Sequence, residues 1–223
     1  MEAIRNFSKA QVANVKSMGF GSVLDMDLNH ISTHLGFWVV RNFDEEFNEL
    51  NIGNHQIKIT SDSVNEVFGI PKGSTPVVTV VDKRIVKKIE KFEKSKELEG
   101  GDSIIDQLIG QWADNERITH GLVASAINNQ REGGSLFRIK FLVYWMTIFV
   151  EITKATTAND KCLLGVDTVE DIPHLVWYSY LLETLRRTRK GWKNTKKYSI
   201  WDLSPFLRYV LLYLLTNIGK KNK

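Results

Sequence analysis

The sequence has 223 residues, of which 43% are hydrophobic and 25% are charged, and its formal net charge is +4. This composition suits a globular protein with one sizeable core, and it argues against long disorder and a disulfide-stabilised scaffold. The single cysteine, Cys162, excludes an intramolecular disulfide and a cysteine-based zinc site. The two apolar runs, residues 141–150 and 209–215, are shorter than the roughly 20 residues of a membrane-spanning helix, so no membrane segment is expected.

The N-terminal region predicts two helices. Ser8 and Gln11 have the spacing of a capping box, and Gly19 predicts the end of the helix that they begin. Farther on, apolar residues spaced i, i+4, i+7 and i+8 predict a second helix over residues 30–42.

The next segment predicts a β-hairpin near residues 46–60. Gly53-Asn54 has the form of a two-residue type II′ turn between alternating apolar positions. This register places Leu50 opposite Ile57 on the face that must be buried. A hairpin is unstable alone, so we expect it to pack on the helices.

Helix start and stop signals divide the rest of the chain. Thr60 and Gly69 bound a short helix, and residues 70–81 read as an extended connector. Later helices are predicted to begin near Asp82, Asp102, Asn115 and Ser135, at Asp171 or Thr168, and near Ser199. The helix after Ser135 is apolar on all sides, which predicts the centre of the fold. The helix that follows Asp171 is predicted to loosen at Gly191.

These elements predict a mainly α fold, a compact domain of about eight helices with one small β-hairpin. We expect a single domain over residues 1–223. A division into sub-lobes 1–70 and 82–218, joined by the connector 70–81, stays open.

No residue pattern predicts catalysis, a metal site or a cofactor. His30 and His34 are spaced i, i+4, but the glutamate of a zincin motif and a third ligand are missing. Cys162 has no assignable base, so a small packed residue is the better interpretation. We therefore predict no enzyme activity, no catalytic residue and no cofactor.

The most charged part of the chain is the basic segment, residues 186–197, with seven lysines and arginines and no acidic residue. Cations neutralise phosphates and aromatic rings stack on bases, so this segment is the candidate nucleic-acid-binding site. A solvated helix end and a nuclear-import signal stay open as other interpretations. The candidate residues are Arg186, Arg187, Arg189, Lys190, Trp192, Lys193, Lys196 and Lys197.

Motifs in both halves resemble the plant mobile domain, a family also labelled aminotransferase-like. The first half is similar at Met18-Gly19-Phe20-Gly21, at residues 38–44 and at residues 57–73. The second half is similar at Phe141-Leu142-Val143, at Trp177 with Tyr180, at Trp192, and at Ser204-Pro205 with Tyr213. A serine stands at position 204, where the family usually has glycine. The resemblance covers roughly residues 8–216.

The resemblance implies a nuclear, non-catalytic role. Relatives of that family are plant transposon-derived proteins, some fused to ubiquitin-like (SUMO-type) protease domains, and they are tied to transposable elements or to gene silencing. We therefore expect a scaffold module that binds nuclear proteins, and a module that binds DNA or RNA through the basic segment is the alternative. The label implies no aminotransferase activity, because a pyridoxal-phosphate enzyme needs a larger α/β scaffold and a Schiff-base lysine. A transposon remnant and a domesticated protein both stay open, as does the oligomeric state.

Overall fold

The computed structural model describes residues 2–26, 33–77, 107–108, 111–112, 118–150, 158, 163, 166 and 168–195. This part of the chain is mostly helical, which confirms the prediction of a mainly α fold. It contains seven α-helices: α1 Glu2–Arg5, α2 Lys9–Ser17, α3 Thr33–Asn42, α4 Ser61–Phe68, α5 His120–Asn129, α6 Ser135–Trp145 and α7 Trp177–Thr195. The predicted helices over residues 82–97 and from Ser199 onward lie outside the described residues.

Three strands form an antiparallel sheet: β1 Phe43–Asp44, β2 Glu49–Ile52 and β3 His55–Lys58. The predicted β2–β3 hairpin is confirmed, because Leu50 pairs with Ile57. The φ angle is +58° at Gly53 and is not positive at Asn54, as a type II′ turn requires. The prediction of only one hairpin was wrong. A strand of two residues is too short to show alternation, so β1 left no signal in the sequence.

A long-range pairing changes two further predictions. The strands β4 Thr75–Pro76 and β5 Leu175–Val176 pair in parallel, so part of the predicted connector is a strand. The same pairing holds residues 175–176 extended, and α7 therefore begins at Trp177 rather than at Asp171 or Thr168 as predicted. Ile172–His174 form only a short 3₁₀ helix. A Cβ atom at Gly73 would clash with the Leu175 carbonyl oxygen, which explains glycine at this crossing.

The beginning of α6 and the C-terminal part of α7 also differ from the prediction. Ser135 is the first residue of α6 and does not cap it; Gly134, with a φ of +93°, occupies the N-cap position. The Gly134 amide donates to Oδ1 of Asn14 on α2, and this contact selects a backbone conformation that favours glycine. Gly191 does not loosen α7, which continues to Thr195, because one interior glycine costs only about 1 kcal/mol.

The helix starts at Ser8 and Thr60 form as predicted. Ser8 and Gln11 make a reciprocal capping box at the start of α2. Thr60 makes the same arrangement with Ser63 at the start of α4, and Gly69 ends that helix in the left-handed conformation.

The centre of the fold is α6, as its all-round apolar sequence predicts. Residues 139–147 are all buried, and a π-helix, Met146–Val150, continues the helix. The aromatic rings of Phe20, Phe141, Trp145 and Trp177 meet around it. This cluster joins the segment after α2 to α6 and α7 in one core.

Lys140 is a cation inside this core, with 5% of its surface exposed. Its ammonium donates a hydrogen bond to Oε1 of Gln130 at 3.0 Å. Burial lowers the pKa of Lys140 from its ordinary value of 10.5. Between the lowered pKa and 10.5 the folded chain binds fewer protons than the unfolded chain, so the free energy of unfolding rises with pH in that window.

We expect Lys140→Met to remove this rise, because methionine fills a similar volume without a charge. The free energy of unfolding at pH 7 should stay equal or increase, because the cost of burying the ammonium disappears. Urea denaturation at pH 7 and at about pH 10 measures the free energy of unfolding and its change with pH. Exposed Lys9 gives the control, since Lys9→Met should keep the wild-type pH dependence. A Lys140→Met protein with the wild-type pH dependence would contradict this explanation.

Candidate docking surface

The turn between β1 and β2, residues 44–49, is named here the Phe47 turn. Oδ1 of Asp44 accepts hydrogen bonds from the backbone amides of Glu46 and Phe47, at 2.9 and 3.1 Å. Asn48 adopts a left-handed conformation with a φ of +56°, which asparagine tolerates better than most residues. The Asn48 carbonyl accepts a hydrogen bond from the amide of Ile59 at 2.8 Å. The turn therefore has a defined backbone conformation that hydrogen bonds within it and from Ile59 maintain.

Two arginines of α7 hold the same turn from the side. Nε of Arg186 donates to Oδ1 of Asn48 at 3.0 Å. Nε of Arg189 lies 3.7 Å from Oε2 of Glu45, and these two side chains are only 14% and 18% exposed. The Arg189 guanidinium also lies 5.1 Å from the centre of the Trp192 ring, a cation–π contact. The basic end of α7 and the acidic turn thus form one connected structure.

The side of α7 that faces the sheet has a further contact about two turns before Arg186. The hydroxyl of Tyr178 donates to the carbonyl of Ile59 at 3.0 Å. Burial raises the pKa of the Tyr178 hydroxyl, and the nearby positive charge of Arg186 opposes that rise. The hydroxyl remains a hydrogen-bond donor at neutral pH, so it helps to keep the sheet against α7.

Of the basic segment, the structure brings Arg186 and Arg189 to the Phe47 turn. Nη2 of Arg187 donates to Thr184 within α7. Lys190 is exposed, and Trp192 packs partly against the core. Lys193 lies on α7, whereas Lys196 and Lys197 lie outside the described residues. The arginines of the basic segment therefore contact the protein itself, and Lys190 is the exposed cation among its described side chains.

Phe47 is the large hydrophobic side chain that stands out in the described part of the chain. It is 59% exposed, whereas the neighbouring apolar residues Phe43 and Leu50 are buried. Asp44, Glu45, Glu46 and Glu49 lie within three residues of it in the sequence. The surface that results is one aromatic ring in an acidic setting, on a turn held by α7.

Sequence reasoning did not find this surface. The local signal was present, because Asp44 and Asn48 are residues that favour turns and one phenylalanine stands among acids between them. The contacts of Glu45 and Asn48 with α7 join segments that are distant in sequence. No periodicity or motif within either segment predicts them.

Residues 1–207 match the family model described as domain of unknown function DUF8566. The chain belongs to the DUF8566 family. No curated protein matches this DUF8566 chain, and no solved structure does. Among its described residues, no helix is long and apolar enough to cross a membrane. Those same residues contain no group of three His, Cys, Asp or Glu side chains that could hold a metal ion. Of the residues considered for metal or thiol chemistry, His34 is exposed on α3, and His30 and Cys162 lie outside the described part of the chain.

Proposed function

We propose that this chain is a non-catalytic protein-interaction module and that the Phe47 turn is its docking element. The observation that carries the proposal is the 59% exposure of Phe47 on a turn with a defined conformation. Buried aromatic side chains at the centre of protein interfaces supply a large share of binding energy. An exposed phenylalanine is suited to that role when its backbone is already ordered.

The defined conformation of the turn supports the proposal, because it reduces the conformational entropy that is lost on binding. A flexible loop loses conformational entropy when a partner fixes it, and that loss weakens binding. Here Asp44 and Asn48 fix the backbone, and Arg186 and Arg189 fix the position of the turn relative to α7. Phe47 can therefore enter a partner without much ordering of the turn.

The charges around Phe47 indicate the chemistry of the partner. Glu46 is exposed next to the ring, and Glu49 is partly exposed at the start of β2. Charge complementarity favours a partner with an apolar contact for the ring and basic residues around it. The resemblance to the plant mobile domain adds that such partners are nuclear proteins connected with transposable elements or their silencing.

Selection from a random peptide library on the immobilised wild-type chain tests the proposal. We expect enriched peptides that combine apolar residues with lysine or arginine and that do not bind Phe47→Ala. The control is Gln56→Ala, which truncates an exposed side chain on the same sheet and should retain the peptides. Enrichment of peptides that bind Phe47→Ala as well as wild type would contradict the proposal.

A nucleic-acid-binding module is the second candidate function. It is favoured by Lys190, which is exposed and continues the basic face of α7 beyond Arg186. Fluorescence anisotropy with duplex and single-stranded DNA across a salt series tests it, with Lys190→Gln as the variant and Lys9→Gln as the control. Binding that falls with salt and is lost only in Lys190→Gln would support this candidate. Absence of binding at low salt would exclude it. Arg189→Gln is unsuitable here, because it would also disturb the Phe47 turn.

A further inference from the structure

The outer edge of β3 carries backbone groups that the sheet does not use. Among the described residues β3 is an outer strand of the sheet, with β2 as its neighbour. Antiparallel pairs alternate between positions that exchange hydrogen bonds and positions that do not. The amide of Ile59 donates to the carbonyl of Asn48, which makes this pair a hydrogen-bonded one. Lys58 and Gln56 are therefore positions of the other kind, and their amide and carbonyl groups point away from β2.

The same edge is open to a partner. The side chains of His55, Gln56 and Lys58 are exposed, whereas Ile57 between them packs partly against the core. Within the described part of the chain, no backbone group pairs with the outward amides and carbonyls of Gln56 and Lys58. Another extended backbone can satisfy such a row of donors and acceptors together. The chemistry of the edge therefore favours an extended peptide segment.

The Phe47 turn lies at one end of this edge. Glu49, the last residue of the turn, pairs with Lys58, and Asn48 accepts the hydrogen bond from Ile59. β3 has only four residues, so a segment paired with β3 alone makes few hydrogen bonds. A segment that continues past Lys58 runs toward the turn, where the exposed Phe47 ring offers an apolar contact.

A second copy of this chain fits the edge less well than a different protein does. Two-fold symmetry would pair two β3 strands antiparallel, so Lys58 of one copy would lie near the start of β3 in the other. The hairpin turn at that end, Gly53-Asn54, supplies neither an apolar nor a basic side chain to the Phe47 turn. A segment of another protein can carry both.

We propose that β3 binds an extended segment of a partner protein as an additional strand of the sheet, and that apolar and basic residues next to this segment contact the Phe47 turn. Binding then has two sources, which are main-chain hydrogen bonds to Gln56 and Lys58 and the burial of the Phe47 ring. This inference rests on the proposed function, because it states the conformation in which the partner of the Phe47 turn binds.

Hydrogen exchange of the full chain, with and without a peptide selected on it, tests the inference. The outward amides of Gln56 and Lys58 should exchange rapidly in the free chain, and a saturating peptide should slow both by about tenfold or more. The amide of Ile57 already donates within the sheet, so binding should slow its exchange less. Unchanged exchange at Gln56 and Lys58 in the complex would overturn the inference.

Two substitutions at position 56 separate the backbone from the side chain. Gln56→Pro removes the outward N–H, and an edge strand tolerates proline where the N–H faces solvent. This variant should bind the selected peptide about tenfold more weakly, whereas Gln56→Ala keeps the N–H and should bind like wild type. A folded Gln56→Pro protein with wild-type affinity would contradict the inference. If Gln56→Pro does not fold, the exchange measurement on the wild-type chain decides.

These results separate the inference from the proposed function. A peptide that needs Phe47 but does not slow exchange at Gln56 and Lys58 keeps the proposed function and excludes the added strand. A peptide that slows exchange at both amides but binds Phe47→Ala equally well excludes the proposed function instead. A selection that yields no peptide excludes both. Slow exchange at both amides in the free chain that increases with protein concentration would show that a second copy covers the edge, and would also overturn the inference.

Discussion

Replacement of Phe20 by alanine should lower the free energy of unfolding by about 3–5 kcal/mol. Phe20 is fully buried, and its ring lies 5.0 Å from the ring of Trp145, 5.7 Å from that of Trp177 and 6.2 Å from that of Phe141. The substitution would leave a cavity among two aromatic rings of α6 and one of α7, and edge-to-face contacts would be lost with it. Urea denaturation measures the change.

The control for this prediction is the alanine substitution of the exposed Phe47. Phe47→Ala removes the same atoms from an exposed position and should change the free energy of unfolding by less than about 0.5 kcal/mol. Equal destabilisation by the two substitutions would contradict the assignment of Phe20 to the core and of Phe47 to the surface.

Charge reversal at Glu45 should destabilise the fold by about 2–4 kcal/mol. Arg189 is largely buried, its Nε and Nη1 atoms have no hydrogen-bond partner among the described residues, and Glu45 supplies the compensating negative charge. Glu45→Lys would place two cations where an ion pair stands, with little access to water. The Phe47 turn should then separate from α7, which increased hydrogen exchange of the amides of residues 44–49 would detect.

The adjacent residue gives a matched control, because Glu46→Lys makes the same charge change one position away. Glu46 is exposed, so its reversal should change the free energy of unfolding by less than about 0.5 kcal/mol and leave hydrogen exchange of the turn unchanged. Equal effects at the two positions would show that Glu45 does not hold the turn.

The charge pattern of the basic segment predicts a binding surface, but some of its arginines instead make contacts within the protein. The sequence predicts a basic segment over residues 186–197, and α7 extends through most of it. The fold then places Asn48 beside Arg186 and Glu45 beside Arg189. Long-range packing determines which basic residues contact the Phe47 turn. The charge pattern alone therefore could not distinguish the arginines that make these contacts from the exposed Lys190.

Local rules predicted the elements whose stabilising contacts lie within a few residues. The capping box at Ser8, the cap at Thr60 and the turn at Gly53-Asn54 are of this kind. The pairing of β4 with β5 and the glycine cap before α6 depend on contacts between distant segments. The Phe47 turn combines both kinds, since its backbone is fixed locally and its position is fixed by α7.

The motif Met18-Gly19-Phe20-Gly21 has a structural explanation of its own. Gly19 ends α2 with a φ of +80°, and a Cβ atom there would lie 2.6 Å from Cγ of Pro71. Phe20 follows at once and enters the aromatic cluster. Part of the resemblance to the plant mobile domain therefore lies in residues that the core of this chain needs for packing, and function has to be argued from the surface.

The most direct test of the central claim is the affinity of Phe47→Ala for a peptide selected on the wild-type chain, measured by isothermal titration calorimetry. We expect a loss of at least about 2 kcal/mol, roughly 30-fold in affinity, with the stability of the chain unchanged. Gln56→Ala should bind the same peptide as wild type does. Equal affinity of wild type and Phe47→Ala would contradict the claim that this chain docks its partners through the Phe47 turn.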